Sequence, residues 1–209
     1  MLPLGVCVAA GPALATPLTA RESASLGTVD IHRAREFESG RAYAKRALHM
    51  LGVDNVDLPI GPSCSPLWPS GVVGSITHVR YGDGGLYVGA AVARAHAVLA
   101  MGIDFEMADG LHPDVWPHVL TQREFEGLLA CPIEDRRIEA QYIWCAKEAT
   151  AKIVKERLDP SRVQVERDPR SGDFLVSFMD GRRRLQGGFV GRTARLDGLL
   201  IATAVLLPS

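Results

Sequence analysis

A short glycine-rich segment, Tyr81-Gly82-Asp83-Gly84-Gly85, joins two strand-like runs at residues 72–77 and 86–94. Connections this short join antiparallel neighbours, because a parallel pair needs a crossover of a dozen or more residues. The segment therefore predicts a β-hairpin in the first half of the chain.

Helical and strand-like segments alternate along the rest of the chain. The predicted helices cover residues 33–51 and 136–158, and a third begins at Thr121, where Glu124 three residues later completes a capping box. A buried strand is expected at residues 4–10, followed by a turn at Gly11-Pro12. The remaining predicted strands cover residues 97–106, 162–167, 174–179, 182–190 and 199–207. The layout indicates two roughly equal parts, residues 1–94 and 95–209, with no internal repeat to prove them related.

The composition is that of an ordinary soluble globular protein. Of the 209 residues, 47% are apolar and 22% are charged, and no run approaches the ~20 apolar residues of a membrane span. The formal net charge of −1 argues against a nucleic-acid-coating protein, which needs a surplus of Lys and Arg. We therefore expect neither nucleic acid nor membrane as a partner.

The cysteines and the first residues favour a cytoplasmic location. The four cysteines, at positions 7, 64, 131 and 145, form no CxxC pair and are few for a disulfide scaffold, so buried reduced thiols are expected. Residues 1–15 are apolar and end in Ala-Leu-Ala, but no Lys or Arg precedes the apolar stretch as in a signal peptide.

Lysine is scarce, and its placement is informative. The chain has 4 lysines against 19 arginines, and Lys147, Lys152 and Lys155 fall within nine positions. In a chain that otherwise uses Arg, this cluster indicates a place where a compact ammonium group is wanted.

A pair of acidic residues closes the strand-like run that ends in Gly102-Ile103-Asp104-Phe105-Glu106. Side chains alternate across a strand, so Asp104 and Glu106 project to the same face. Adjacent carboxylates repel unless a cation or solvent separates them, and Mg²⁺ prefers oxygen ligands. Taken alone, the pattern is more typical of a solvated strand end than of a metal site.

The segment Trp144-Cys145-Ala146-Lys147-Glu148-Ala149-Thr150-Ala151-Lys152 adds a third acid. Glu148 and Lys152 share a helix face, which on a plain surface would be an ordinary ion pair. The apolar neighbours of this stretch favour a different hypothesis. Glu148 would join Asp104 and Glu106 in a metal site, and Lys147 and Lys152 would hold phosphate oxygens beside it.

A third motif, Gly74-Ser75-Ile76-Thr77-His78, follows Trp68-Pro69. Ser75 and Thr77 lie on one strand face, and His78 at the end of the run is placed to reach an anion.

Taken together, these residues resemble the 4′-phosphopantetheinyl transferases of the surfactin- and enterobactin-synthase-activating class, in an actinobacterial-like branch. The matching motifs run in order from about Arg33 to Lys155. They are Arg33…Phe37…Gly40-Arg41…Ala44…Ala47-Leu48…Leu51-Gly52, Pro66-Leu67-Trp68-Pro69…Gly71…Gly74-Ser75-Ile76-Thr77-His78, Gly102-Ile103-Asp104-Phe105-Glu106 and Cys145-Ala146-Lys147-Glu148-Ala149-Thr150-Ala151-Lys152.

The resemblance implies a fold and a reaction. The expected fold is α+β, with two pseudo-symmetric halves in one monomer, each a small, mainly antiparallel sheet packed on helices, and the active site in the cleft between them. The expected reaction transfers the 4′-phosphopantetheine arm of coenzyme A to a serine of an apo acyl or peptidyl carrier protein and releases adenosine 3′,5′-bisphosphate. Such carriers serve fatty-acid, polyketide or nonribosomal-peptide biosynthesis.

Site residues are carried over by position. The resemblance implies that Asp104, Glu106 and Glu148 bind Mg²⁺, with Mn²⁺ as an alternative, and that Glu148 takes the proton of the carrier serine. Lys147 and Lys152 would neutralise the CoA pyrophosphate. The 3′-phosphate would be held by Arg33, Arg41 and His78, and the other expected CoA-binding residues are Lys45, Ser75 and Thr77.

Two departures from the family pattern stand out. The loop Gly61-Pro62-Ser63-Cys64-Ser65 lacks a basic residue that relatives often carry, and Ala151 replaces a frequent Tyr. Two other functions use the same residues: a metal-dependent CoA pyrophosphate hydrolase and a catalytically silent module that binds CoA or a carrier.

The carrier-docking surface is less defined. Candidates are the arginines at positions 182–184, the Arg136-Arg137 pair, and the apolar stretch 111–120 with Trp116. A solvated charged face is the more common explanation of such arginine clusters, and a role in the core is an equal alternative for Trp116.

Overall fold

The chain divides into two compact units, Met1–Met101 and Gly102–Ser209. The computed structural model describes residues 5–61, 64–154, 158–179, 185 and 188–208, and structural statements below refer to those residues. Each unit is described by itself.

In the first unit, the described residues form a three-stranded antiparallel sheet in the order β1-β3-β2. Its elements are β1 (Val6–Pro12), helix α1 (Ala20–Leu26), helix α2 (Ile31–Met50), β2 (Val72–Tyr81) and β3 (Gly85–Arg94). β2 and β3 pair in register from Val72 opposite Arg94 to Tyr81 opposite Gly85, which confirms the predicted hairpin.

Helix α2 packs on this sheet through small and apolar side chains. Ala44, Ala47 and Leu48 are fully buried in one cluster with Val88 and Val92 of β3. Gly40 lies on the same helix, and a Cβ added there would come within 3.1 Å of Ile76 Cγ2 on β2. The glycine therefore allows the helix to approach β2 closely.

The predicted turn at Gly11-Pro12 is wrong, because both residues belong to β1. Gly11 pairs with Val88 and Pro12 with Tyr87. Proline is tolerated here because β1 is an edge strand. Alternate backbone N–H groups of an edge strand point away from the sheet, so a residue without an N–H costs no hydrogen bond at such a position. The carbonyl of Pro12 accepts a hydrogen bond from Tyr43 Oη of α2 at 2.8 Å, which ties the strand end to the helix.

In the second unit, the described residues form a five-stranded sheet in the order β4-β8-β7-β6-β5. The strands are β4 (Ala100–Met107), β5 (Val163–Arg167), β6 (Asp173–Phe178), β7 (Gly188–Leu196) and β8 (Leu199–Leu207). The helices are α3 (Trp116–Val119), α4 (Gln122–Ala130) and α5 (Arg136–Val154). The pairings from β5 through β8 are antiparallel.

β7, Gly188–Leu196, contains residues 188–190 of the tail strand predicted at 182–190, whereas residues 182–184, 186 and 187 of that prediction lie outside the described residues. It pairs with β8 through the two-residue turn Asp197-Gly198, in which both residues have positive φ, 49° and 81°. Positive φ at both positions is typical of the type I′ turns that match the twist of a hairpin. The Asp-Gly pair is a sequence signal for such a turn, which the sequence analysis did not use.

Two local predictions for the second unit are confirmed. The capping box at Thr121 is present, with Glu124 N bonded to the threonine side chain and Thr121 N bonded to the glutamate. The long helix begins at Arg136, and its described part ends at Val154.

Gly102 brings β4 against α5. A Cβ built on Gly102 would collide with the carbonyl oxygen of Ala149 and lie 3.1 Å from Lys152 Cβ. Only glycine allows the strand to run this close to the helix. The contact places Asp104, two residues along β4, beside Lys152.

The architecture confirms the predicted mixed class, antiparallel sheets packed on helices. Pseudo-symmetry of the two units and a cleft between them stay predictions. Among the described residues, no helix is both long and apolar enough to cross a bilayer.

Candidate functional site

Three acidic side chains of the second unit influence one another. Burial raises the pKa of Glu106 to about 7, with further contributions from the nearby charges of Asp104 and Glu148, against a lowering by Trp144 and Lys152. Burial also raises the pKa of Glu148, again with Asp104 adding to the shift and Lys152 opposing it. The charge of Asp104 therefore lies close enough to Glu106 and Glu148 to disfavour their ionised forms.

β4 and α5 hold these acids in place. Lys152 Nζ donates to Asp104 Oδ1 at 2.8 Å and to the carbonyl oxygen of Ile103 at 2.7 Å. Trp144 Nε1 donates to Glu106 Oε1 at 2.9 Å. Trp144, Glu148 and Lys152 recur every four residues along α5, so one helix face meets the acidic face of β4.

The donor chemistry of this cluster fits a divalent cation. Three carboxylates supply hard oxygen ligands, and a bound cation would favour the ionised forms of Glu106 and Glu148, whose pKa values are raised first by burial and then by neighbouring acids. Within the described part of the chain, no three His, Cys, Asp or Glu side chains are already arranged to hold a metal. Instead Lys152 supplies the positive charge at Asp104.

Lys147 has a different environment from Lys152, although sequence analysis assigned both to phosphate. Its side chain is 2% exposed, and Nζ donates to Glu124 Oε2 at 2.6 Å and to the carbonyls of Val119 at 2.7 Å and Pro160 at 2.8 Å. An ammonium group has three donors, and these contacts use all three. The geometry favours a structural role, while the contact with pyrophosphate stays a prediction.

In the first unit, three basic side chains surround Glu36. The carboxylate contacts Arg33 Nη1 at 3.4 Å, His78 Nε2 at 3.3 Å and Arg80 Nη2 at 2.6 Å. The structure thus brings the predicted residues Arg33 and His78 together. Sequence analysis missed Glu36 and Arg80, although helix spacing pairs Glu36 with Arg33 and strand spacing pairs Arg80 with His78.

Arg41 and Lys45 make contacts within the first unit. Arg41 is 6% exposed, its Nε donates to the Leu58 carbonyl at 2.6 Å, and its guanidinium stacks 3.9 Å from the Phe37 ring centroid. Burial lowers the pKa of Arg41 to about 10, although Glu22 opposes the shift. Lys45 Nζ lies 2.8 Å from Glu22 Oε2. Their assignment to CoA stays a prediction.

Ser75 and Thr77 lie on the other face of β2 from His78. Both side chains are buried, at 4% and 3% exposure. Since Ile76 and His78 contact α2, alternation along the strand turns Ser75 and Thr77 away from that helix. The structure does not bring them together with the cations around Glu36, and their CoA contacts stay predictions.

The candidate docking residues are partly accounted for. Arg136 donates to the carbonyls of Leu129 and Cys131, and Arg137 donates to that of Gly110. Trp116 is 8% exposed, which favours the core role for its ring. The arginines at 182–184 lie outside the described residues, as do positions 62 and 63 of the loop that lacks a basic residue and position 155.

Comparison with known proteins gives the class of the chain. A sequence profile of the 4′-phosphopantetheinyl transferase N-terminal domain matches residues 22–86. The 4′-phosphopantetheinyl transferase Svp of Streptomyces mobaraensis is 33% identical over 201 residues, which cover 90% of this chain and 78% of that protein. The chain therefore belongs to the 4′-phosphopantetheinyl transferase family.

Two further similarities are less extensive. The 4′-phosphopantetheinyl transferase PptT of Mycobacterium tuberculosis is 36% identical over 141 residues, covering 65% of this chain and 54% of that protein. Among solved structures, the holo-[acyl-carrier-protein] synthase of Thermotoga maritima matches with a TM-score of 0.42 and 17% identity, over 54% of this chain and 65% of that one.

Proposed function

We propose that this protein transfers the 4′-phosphopantetheine group of coenzyme A to a serine of an apo carrier protein and releases adenosine 3′,5′-bisphosphate. Family membership supports the reaction class. The observation that carries the proposal is the cluster of the second unit, where Asp104, Glu106 and Glu148 act on one another and Lys152 bonds to Asp104.

Glu148 is the proposed base. It takes the proton of the carrier serine, whose oxygen forms a bond to the β-phosphorus of CoA while the bond to the bridging oxygen breaks. The electron pair leaves with adenosine 3′,5′-bisphosphate. Burial raises the pKa of Glu148, which makes its carboxylate a stronger base than an exposed one. A serine hydroxyl is a weak nucleophile until such a base takes its proton.

Asp104, Glu106 and Glu148 are the proposed ligands of Mg²⁺. When bound, the ion would neutralise negative charge on the pyrophosphate. Lys152, which is 30% exposed, would contribute a further positive charge to the pyrophosphate oxygens. Lys147 bonds to three oxygen atoms of the protein, and its proposed role is to hold in place the helix that bears Glu148.

The first unit is proposed to hold the nucleotide end of CoA. Arg33 and His78 would contact the 3′-phosphate, with Arg41, Lys45, Ser75 and Thr77 as further candidates. In this proposal residues 1–94 serve the nucleotide, and residues 95–209 serve the pyrophosphate and the carrier. The protein would act as a monomer in the cytoplasm, where the four free cysteines stay reduced.

Intact mass spectrometry tests the reaction. Incubation with CoA, Mg²⁺ and a panel of small apo carriers should add one phosphopantetheine group to a carrier, and a chelator should stop the addition until Mg²⁺ is restored. Glu148→Gln should reduce the rate by at least about 10²-fold, because general-base catalysis contributes that much. Glu134→Gln, an equal change at an exposed site, serves as the control.

Other outcomes would contradict the transferase. Free phosphopantetheine formed without any carrier would indicate the hydrolase instead. Tight CoA binding with no modification of any carrier would indicate the silent binding module. Normal turnover by a folded Glu148→Gln variant would remove Glu148 as the base.

A further inference from the structure

Glu36 connects a helix to a strand through charged contacts. On the helix side, Arg33 and Glu36 lie one turn apart on α2. On the strand side, His78 and Arg80 are two residues apart on β2, so they point to the same face. Arg80 makes the closest contact, with Nε at 2.9 Å and Nη2 at 2.6 Å from the same carboxylate oxygen.

The backbone fixes this junction. Gly40, one turn after Glu36, allows α2 to approach Ile76, which lies two residues before His78. This close approach of α2 to β2 therefore lies next to the charged contacts. It sets the distance between helix and strand that the contacts of Glu36 with His78 and Arg80 require.

Exposure differs sharply within the group. The side chain of Glu36 is 9% exposed, whereas those of Arg33, His78 and Arg80 are 46%, 38% and 58% exposed. The carboxylate is therefore far more buried than the two guanidinium groups and the imidazole that contact it. Burial alone would raise the pKa of Glu36, but His78, Arg80 and Arg33 lower it further, so Glu36 stays ionised at neutral pH.

The charge of the group is not balanced. One carboxylate faces two permanently charged guanidinium groups and an imidazole, which leaves an excess of at least one positive charge at the surface. A guanidinium has five N–H donors, and the contacts with Glu36 use two in Arg80 and one in Arg33. The arrangement suits a dianionic phosphate monoester, which accepts several such bonds.

We propose that Arg80 binds the 3′-phosphate of coenzyme A together with Arg33 and His78, and that Glu36 is the positioning residue that holds the three cations in one patch. This proposal rests on the proposed function, because it takes CoA as the ligand. It assigns Arg80 to binding and assigns Glu36 a role that involves no contact with substrate.

Isothermal titration calorimetry with CoA and 3′-dephospho-CoA, each in Mg²⁺ buffer, tests the assignment. The wild-type protein should bind CoA more tightly than 3′-dephospho-CoA. Arg80→Gln should weaken CoA binding by about tenfold, the size expected for a charge-assisted hydrogen bond, and leave 3′-dephospho-CoA binding unchanged. Arg35→Gln is the matched control, since Arg35 is an exposed neighbour on α2 that donates to the Gly84 carbonyl.

Glu36→Gln separates positioning from general stability. It should reduce the preference for CoA over 3′-dephospho-CoA while both ligands still bind, and thermal unfolding followed by circular dichroism confirms that the variant is folded. A merely structural role would lower the affinity for both ligands equally.

The outcomes distinguish this subsite from the proposed function. If the wild-type protein binds CoA and prefers it, but Arg80→Gln keeps the full preference, the role of Arg80 is overturned and the transferase stands. If the wild-type protein binds CoA and 3′-dephospho-CoA equally, the phosphate subsite is overturned. If CoA does not bind at all, the proposed function falls and the subsite falls with it.

Discussion

Single residues decide which charged groups of this protein face solvent and which face its interior. Lys147 and Lys152 are five residues apart on α5 and chemically identical. Lys147 is 2% exposed and bonded three times within the protein, whereas Lys152 is 30% exposed beside the acidic face of β4. Neighbouring positions on a helix differ by about 100° around its axis, so Lys147 and Glu148 need not share a site.

Gly102 provides a prediction at this scale. Gly102→Ala places a Cβ against the Ala149 carbonyl, which forces β4 and α5 apart. We expect it to lower the free energy of unfolding by about 1–3 kcal/mol and to reduce transfer activity, because the contact of Lys152 with Asp104 depends on this approach. Urea unfolding and a carrier-modification assay measure the two effects.

Gly127→Ala is the matched control for Gly102→Ala. Gly127 lies within α4, and a Cβ added there meets nothing within 4 Å. Alanine in a helix interior is favoured over glycine by up to about 1 kcal/mol, so this variant should be more stable than the wild type. Equal effects of the two substitutions would show that neither the stability nor the transfer activity depends on the close approach of β4 to α5.

At the scale of elements, buried carboxylates connect helices to the segments around them. Glu124 of α4 accepts from Lys147 of α5 and, through Oε1, from Val165 N of β5 at 2.7 Å. Glu22 of α1 has the same role in the first unit. It is fully buried and accepts from Lys45 Nζ of α2 at 2.8 Å and from Leu58 N at 2.9 Å.

The stability contributed by Glu22 should depend on pH. Burial raises the pKa of Glu22, but Lys45 and the backbone donors of Thr19 and Leu58 lower it further, so the folded-state pKa lies below the ordinary 4.5. A carboxyl group with a lowered pKa stabilises the fold above its unfolded pKa. That stabilisation is lost as the pH falls through the folded-state value.

Glu22→Gln tests this dependence. At pH 7 it should lower the free energy of unfolding by about 1–3 kcal/mol, because buried donors lose a charged acceptor. The difference from the wild type should shrink as the pH falls below 4.5. Urea unfolding at a series of pH values measures it, with Glu134→Gln as the exposed control, and a difference that stays constant with pH would contradict the assignment.

Across the whole molecule, a formal net charge of −1 conceals charges that are separated into local groups. The first unit has the cations around Glu36, with Arg33 and Arg80 about half exposed. The second unit has the acids of β4 and α5. A small net charge gives a weak overall field, so charged ligands respond to these local groups.

The separation predicts a salt effect on CoA binding. Raising NaCl from about 0.05 M to about 0.5 M shortens the screening length several-fold and weakens interactions with exposed cations. We expect the affinity for CoA to fall several-fold. The affinity for 3′-dephospho-CoA should fall less, because this ligand lacks the 3′-phosphate that would contact Arg33 and Arg80. Titration calorimetry at both salt concentrations measures this, and identical salt responses of the two ligands would contradict it.

The sequence by itself determined the local features of this protein. The β2–β3 hairpin, the capping box at Thr121 and the shared face of Glu148 and Lys152 all follow from residues a few positions apart. Helix and strand periodicities fix such relations before any packing occurs. The turn at Asp197-Gly198 is equally local, because an Asp-Gly pair between two strand-like runs favours it.

Only the tertiary structure decided which distant groups meet. Glu124 and Lys147 are 23 residues apart, and Glu36 and Arg80 are 44 apart. No periodicity relates them, since their contacts exist only when one element packs on another. The same packing buries Lys147 and leaves Lys152 beside Asp104. Sequence motifs therefore pointed to the acids of the candidate site, and packing determined which partner each lysine and arginine contacts.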